Sequence, residues 1–239
     1  VTVGHPHRHF RSVGSTNDIA RALAASGAPG GTVVTSEEQT SGRGRQGRPW
    51  ATPAGSALAW SLLIRRAIKI PGILPLVVGL AVCEAVESLG VERAHVKWPN
   101  DIWIDGRKCA GILVEARPQD GWAVVGVGLN LAIAEHEFPE EIRGRATSVR
   151  NGATIVSATA ALNREVGALL DADPKAALAQ LKRRDALRGQ RIAWDGGRLR
   201  GVASGIDEGG NLMVREGGPD GSSEFALNAG EVHLEVEEV

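Results

Sequence analysis

Apolar residues first recur at helical spacing at Ile19, Ala20, Leu23 and Ala24. Ser15-Thr16-Asn17-Asp18 precedes them, where Ser or Thr can cap a helix and Asp18 suits its first turn. Gly27, Pro29, Gly30 and Gly31 end the pattern. The β-branched run 32–36 predicts a strand, and the apolar run 57–64 predicts its return. Residues 71–89 predict a helix with a wide apolar face of Leu74, Val77, Val78, Ala81, Val82 and Val86. Asp105-Gly106 sits between Ile102-Trp103-Ile104 and a strand through residues 111–115, which predicts a hairpin. Residues 122–131 predict another strand, interrupted by Gly126 and Gly128, where glycine marks close approach of a ligand or another backbone. Residues 132–154 are polar and irregular, and 156–170 and 174–187 predict two helices. From Gly189 short strands at 191–194, 198–206, 212–215, 224–227 and 232–236 alternate with glycine turns, the texture of a small β-barrel. The expected fold class is α+β: a mixed sheet packed with helices over residues 1–187, then a small barrel over 188–239.

Composition adds little to that picture. With 43% hydrophobic and 23% charged residues the chain reads as an ordinary globular protein, and its net charge of -1 gives no general field for nucleic acid. Cys83 and Cys109 lack metal-ligand spacing, so a reduced, cytoplasmic protein is the simpler reading, with a single disulfide left open. Cys83 falls inside a predicted helix as a packed small residue. Residues 1–10 do not read as a signal peptide, and the apolar stretch 73–82 is too short to span a membrane. His5, His7 and His9 alternate as on a solvated edge strand; no ligand cluster elsewhere supports a metal site, and no protein metal ligand is assigned.

The segment with most chemistry is 39–50, which packs three glycines, three arginines and Trp50 into its last nine positions. Glycine lets backbone N–H groups approach an anion, arginine supplies planar cationic forks, and tryptophan offers a flat apolar face. Together they describe a loop for a phosphate-bearing aromatic ligand. Gly42-Arg43-Gly44-Arg45-Gln46-Gly47 also matches the dinucleotide fingerprint, but Pro49 and Pro53 forbid the helix that fingerprint must open.

Four separated blocks, taken together, resemble biotin protein ligases: Ser15-Thr16-Asn17; the 39–50 loop; Lys97-Trp98-Pro99-Asn100-Asp101 with the block 108–115; and Gly126-Val127-Gly128-Leu129-Asn130. Their order and spacing match as well, over nearly the whole chain. One departure is Gln46, where the family loop usually carries arginine. The resemblance implies a catalytic domain like those of class II aminoacyl-tRNA synthetases and biotin ligases, with an SH3-like C-terminal barrel. It also implies a two-step reaction with biotin, ATP and magnesium. Biotinyl-5′-AMP forms first, and a lysine of a biotin carboxyl carrier domain then takes the biotin.

By the same resemblance Arg45, Lys108 and Lys97 are the catalytic charges. Biotin falls to Ser15, Thr16, Asn17, Gln39, Gly42, Arg43, Gly44, Arg45, Lys108, Gly111, Leu113, Gly126 and Gly128. The adenylate falls to Arg45, Arg48, Trp50, Asn100, Lys108 and Asn130. The nearest rival is lipoate attachment, by ligases or transferases that share the fold. A DNA-binding repressor is a second rival, but only 14 residues precede Ser15 and none reads as helix-turn-helix, so a monofunctional form without DNA binding is expected. A noncatalytic biotin-binding module is a third, disfavoured by retention of both Arg45 and Lys108. No membrane partner is expected, and monomer and homodimer both stay open.

Overall fold

The computed structural model describes residues 2–65, 71–218, 221–228, 230 and 232–234. Its larger sheet contains β1 (His7–Val13), β2 (Val33–Gln39), β3 (Ala57–Ile64), β4 (His95–Lys97), β5 (Asp101–Ile104), β6 (Arg107–Arg117) and β7 (Trp122–Asn130). The spatial order is β1-β2-β3-β7-β6-β5-β4, with β1 parallel to β2 and the other neighbours antiparallel. A parallel pair needs a crossover, which α1 (Thr16–Ala25) supplies. α2 (Leu74–Ser88) and α3 (Ile155–Asp171) pack together, and α4 (Pro174–Arg184) packs on α2.

Every position of β3 is buried, because both faces of the sheet are covered. Leu58, Trp60, Leu62 and Ile64 belong to the core shared with α2 and α3, while Leu63 belongs to the core under α1. Side chains alternate along a strand, so Ser61 shares the α1 face with Leu63. The same alternation places Val125, Val127 and Leu129 of β7 in the larger core and leaves Gly126, Gly128 and Asn130 on the other face. That glycine-rich face is where a ligand can approach the sheet.

β1 is the expected edge strand. His7 Nε2 and His9 Nδ1 lie 2.8 and 2.9 Å from Thr35 Oγ1. Among the described residues no group of three His, Cys, Asp or Glu is placed to hold a metal. The Asp105-Gly106 hairpin forms as predicted, with φ of 49° and 73°, the left-handed pair that such a two-residue turn needs. α4 stops at Arg184, earlier than the pattern suggested, because Asp185 pairs beside Val96 and the Ala186 N–H donates to Val96 O at 2.9 Å.

The second sheet holds β8 (Arg191–Trp194), β9 (Leu199–Ile206), β10 (Leu212–Gly218), β11 (Gly221–Leu227) and β12 (His233–Leu234). It is antiparallel in the order β11-β10-β9-β8-β12. The expected strands are there, and among the described residues no pairing joins β11 to β12. Residues 235–236 of the expected last strand lie outside the described residues. Ile192, Trp194, Ala203, Ile206, Leu212 and Val214 merge with the core under α2. Trp98, buried at the junction, donates its indole N–H to Gly210 O at 3.0 Å.

Candidate active site

The N-terminus of α1 is built for something other than ordinary capping. Ser15 holds the N-cap position with extended backbone, yet its hydroxyl makes no cap hydrogen bond. Gln39, 23 residues beyond Thr16 at the end of β2, does that work: its Oε1 accepts from the Thr16 N–H at 2.8 Å and from Thr16 Oγ1 at 3.1 Å. Ser15, Thr16 and Asn17 are all buried. Ser61, fully buried on β3, lies 2.7 Å from both Thr16 Oγ1 and Asn17 Oδ1. Asn17 Nδ2 donates to Glu115 Oε2 at 2.7 Å. A buried polar group must be paired, and here the pairing fixes the side chains of Thr16, Asn17 and Gln39 at one end of a cavity.

That cavity, of about 430 Å³, lies between α1, the Gly/Arg loop and the glycine-rich face of β6 and β7. The loop is a small hairpin with its own backbone bonds. Trp50 N donates to Gly42 O at 2.9 Å and Gly44 N to Arg48 O at 2.7 Å. Gln46 takes the left-handed conformation at its tip, with φ of 56°. Gly42 has no room for a side chain: a Cβ there would lie 2.3 Å from Trp50 O. Arg43 turns to α1, where Asp18 accepts from its Nη1 at 2.9 Å and its Nη2 at 2.5 Å. The Arg43 guanidinium holds the Asp18 carboxyl below the ordinary carboxylate value, and Asp18 raises Arg43 in return. Arg45 reaches the other way, to Asn100 Oδ1 at 3.3 Å, and Asn100 is itself set by donating to Ile112 O at 2.8 Å.

Lys108 reaches the cavity through a β-bulge. Ile102 of β5 pairs with Ala110 of β6, but Trp103 pairs with Lys108, so Cys109 is the extra residue. Cys109 enters the core, and Lys108 is re-aimed toward the cavity beside Gly111. Its Nζ lies 2.7 Å from Asp101 Oδ1 and 5.5 Å from the Trp50 ring centre. Lys97 is nearly buried, with Nζ 5.5 Å from the Trp103 ring centre. Both thiols are pushed up by burial, Cys83 to about 12, which removes them as nucleophiles at neutral pH.

Of the residues expected in the site, Gly42 alone does not line the cavity; it shapes the loop that does. Two glycines act differently from expectation. A Cβ at Gly126 would lie 2.3 Å from Asn17 Oδ1, and one at Gly128 would lie 2.4 Å from Trp50 Cε2. The close neighbours are therefore side chains of this chain. Trp50 lies across Gly111 and Gly128 and forms one wall.

Pattern reading missed Ser61, because a lone serine in an apolar strand carries no signal. It also missed Asp101 and Glu115, which stood in quoted blocks without a role. The irregular stretch after β7 supplies Phe138, Ile142, Arg145 and Ala146 to the wall. It is tied back by Lys108 N to Arg145 O at 2.9 Å and Thr147 N to Lys108 O at 2.8 Å. His233 of β12 brings the second sheet to the rim.

Charge decides what this space can hold. Arg43, Arg45, Arg48, Lys97, Lys108 and Arg145 line the cavity against Asp101 as its one carboxylate among the described residues. A chain of net charge -1 has thus gathered cations at one place, beside a neutral hydrogen-bonding end. The arrangement fits a ligand with an uncharged polar head and a cluster of anionic groups.

Comparison with known proteins agrees. Residues 9–131 match the model of the Biotin/lipoate A/B protein ligase family. The chain is 38% identical over 225 residues to the Biotin--[acetyl-CoA-carboxylase] ligase of Mycobacterium tuberculosis, covering 86% of this chain and 81% of that protein. It is 35% identical over 144 residues to the Bifunctional ligase/repressor BirA of Bacillus subtilis, but spans 44% of that longer protein. The biotin protein ligase from Aquifex aeolicus in complex with biotin and ATP superposes with a TM-score of 0.76 at 26% identity, over 96% of this chain and 98% of that one. On the match over residues 9–131 and the likeness to the mycobacterial ligase, the chain belongs to the biotin/lipoate A/B protein ligase family.

Proposed function

We propose that this chain is an ATP-dependent biotin protein ligase that activates biotin as biotinyl-5′-AMP and transfers it to one lysine of a biotin carboxyl carrier domain. The carrying observation is the cation-lined cavity with its neutral end. In the first step a carboxylate oxygen of biotin attacks the α-phosphorus of ATP, and pyrophosphate leaves. Two anions must meet, so fixed positive charge is the main requirement. Lys108 serves the carboxylate and the acyl phosphate, Arg45 the phosphate bridge, and Lys97 adds charge. In the second step the neutral amine of the carrier lysine attacks the acyl carbon, the acyl–oxygen bond breaks, AMP leaves, and the amine gives up its proton. No protein nucleophile is needed.

Ser15, Thr16, Asn17 and Gln39 hold biotin, with Gly111, Leu113 and Gly128 bounding its slot and Gly126 making room for Asn17. Arg48, Trp50, Asn100 and Asn130 lie on the nucleotide side. Magnesium would neutralise the triphosphate when bound with ATP. Because phosphates supply most of its ligands, one or two protein oxygens suffice. Asp101 and Asn130, both lining the cavity, are of the right type. In the same reading residues 1–187 form the catalytic domain and 188–239 a second domain whose His233 reaches the rim.

The family description covers both biotin and lipoate, while the relatives compared above are named for biotin. The test is to incubate the protein with ATP, magnesium and a carrier domain, with either acid, and to weigh the carrier. A single biotin addition supports the reading; a lipoyl addition would transfer it to the other branch of the family.

A further inference from the structure

The Gly/Arg loop crosses the cavity and is held at both sides, but unequally. On the α1 side Arg43 makes two bonds to Asp18, and Arg21 also bonds Asp18. Arg21 Nη1 donates to Glu115 Oε1 at 2.9 Å, and the other Glu115 oxygen accepts from Asn17. A continuous ladder thus runs from the loop through α1 to β6. On the far side Arg45 meets the neutral Asn100 at 3.3 Å. Charge-assisted bidentate bonds are the stronger class, so Arg43 is held more firmly than Arg45.

We propose that Asp18 is the positioning residue of the Gly/Arg loop: its carboxylate grips Arg43 from α1 and thereby sets where Arg45 meets the ligand. Arg43 is then a structural cation, satisfied before any ligand arrives, and Arg45 is the cation left to move. The consequence for catalysis rests on the ligase reading; the anchoring does not. Asp18 and Arg43 are each more than a third exposed, which limits the effect of breaking their pair to about tenfold.

Two measurements separate the parts. In ligand-free protein, trypsin cuts after Arg45 when the loop opens. Asp18→Asn should speed that cut about tenfold while cuts elsewhere are unchanged. Arg43→Gln should speed it equally, and the double variant no further. In biotin-dependent pyrophosphate exchange, Asp18→Asn should raise the KM for biotin and ATP about tenfold with a smaller change in kcat, and Asp18→Glu should recover part of it. Unchanged cleavage in Asp18→Asn, or an effect of that substitution undiminished in the Arg43→Gln background, overturns the proposal. A parent protein with no exchange activity overturns the ligase reading instead, and the cleavage measurement still decides the anchor.

Discussion

Gly126 and Gly128 stand two residues apart on one face of β7, and an added methyl group should do different things at each. At Gly126 the new Cβ would meet Asn17 Oδ1 at 2.3 Å and Cγ at 2.9 Å. Asn17 cannot retreat, because Ser61 and Glu115 hold its two ends at 2.7 Å. Overpacking costs about 1–3 kcal/mol, and the disturbed hydrogen bonds about 1 kcal/mol or more. Loss of a flexible glycine returns about 0.5–1 kcal/mol. Gly126→Ala should therefore destabilise by roughly 1–3.5 kcal/mol, the balance of these terms. For a chain of this size that lowers Tm by roughly 2–14 °C.

At Gly128 the obstacle is the half-buried Trp50 indole, at 2.4 Å from Cε2 and 2.7 Å from Nε1. It sits at the end of the Gly/Arg loop, outside the sheet, and is expected to give way there more readily than Asn17. Gly128→Ala should leave stability within about 1 kcal/mol, as for substitutions away from fixed features, while raising the KM for ATP in pyrophosphate exchange. Urea or thermal melts with initial-rate kinetics read both quantities. Equal stability losses at the two positions would refute the assignment of Asn17 as fixed and Trp50 as displaceable.

Lys108→Ala removes a cation from beside the reacting groups and leaves Asp101 unpaired, so adenylate formation should slow on the order of 10²-fold, with biotin binding affected far less; equal losses would mark Lys108 as a binding charge only. Burial raises the Asp185 carboxyl, whose Oδ2 is buried with no hydrogen-bond partner among the described residues. Folded protein then holds its proton longer than unfolded protein, so stability falls as pH rises from the ordinary Asp range through the raised folded value. Asp185→Asn should flatten that part of the melting profile, and an unchanged profile would contradict it. Trp98→Phe deletes the donor to Gly210 O at the junction of the two sheets and should cost about 1–2 kcal/mol in denaturant titrations; no loss would mean that packing alone joins them.

Local chemistry made much of the fold legible. Asp105-Gly106 can take the left-handed pair of a tight turn, and the β-branched and apolar runs around β2, β3 and β7 need both faces covered. The site was legible where chemistry concentrates in sequence, as in the Gly/Arg loop. It was not legible where function depends on distant pairing. Gln39 replaces Ser15 as the cap of α1 only because β2 ends beside that helix. Asp18 read as a dipole residue, and its grip on Arg43 arises across 25 positions. Lys108 stood out through the family resemblance, but the bulge at Cys109 that turns it into the cavity carries no local signal. The stretch 132–154 shows no periodicity because backbone bonds to β6 and to the ends of β3 and β7, with scattered buried residues such as Ile133, Phe138 and Ala146, hold it in place without a helix or strand.

ATP–pyrophosphate exchange by the purified chain, run with biotin, with lipoate and with neither, bears most directly on the central claim. Exchange that requires biotin, and that falls on the order of 10²-fold in Lys108→Ala, is the expected result. Exchange that requires lipoate, or that proceeds equally without either acid, would contradict it.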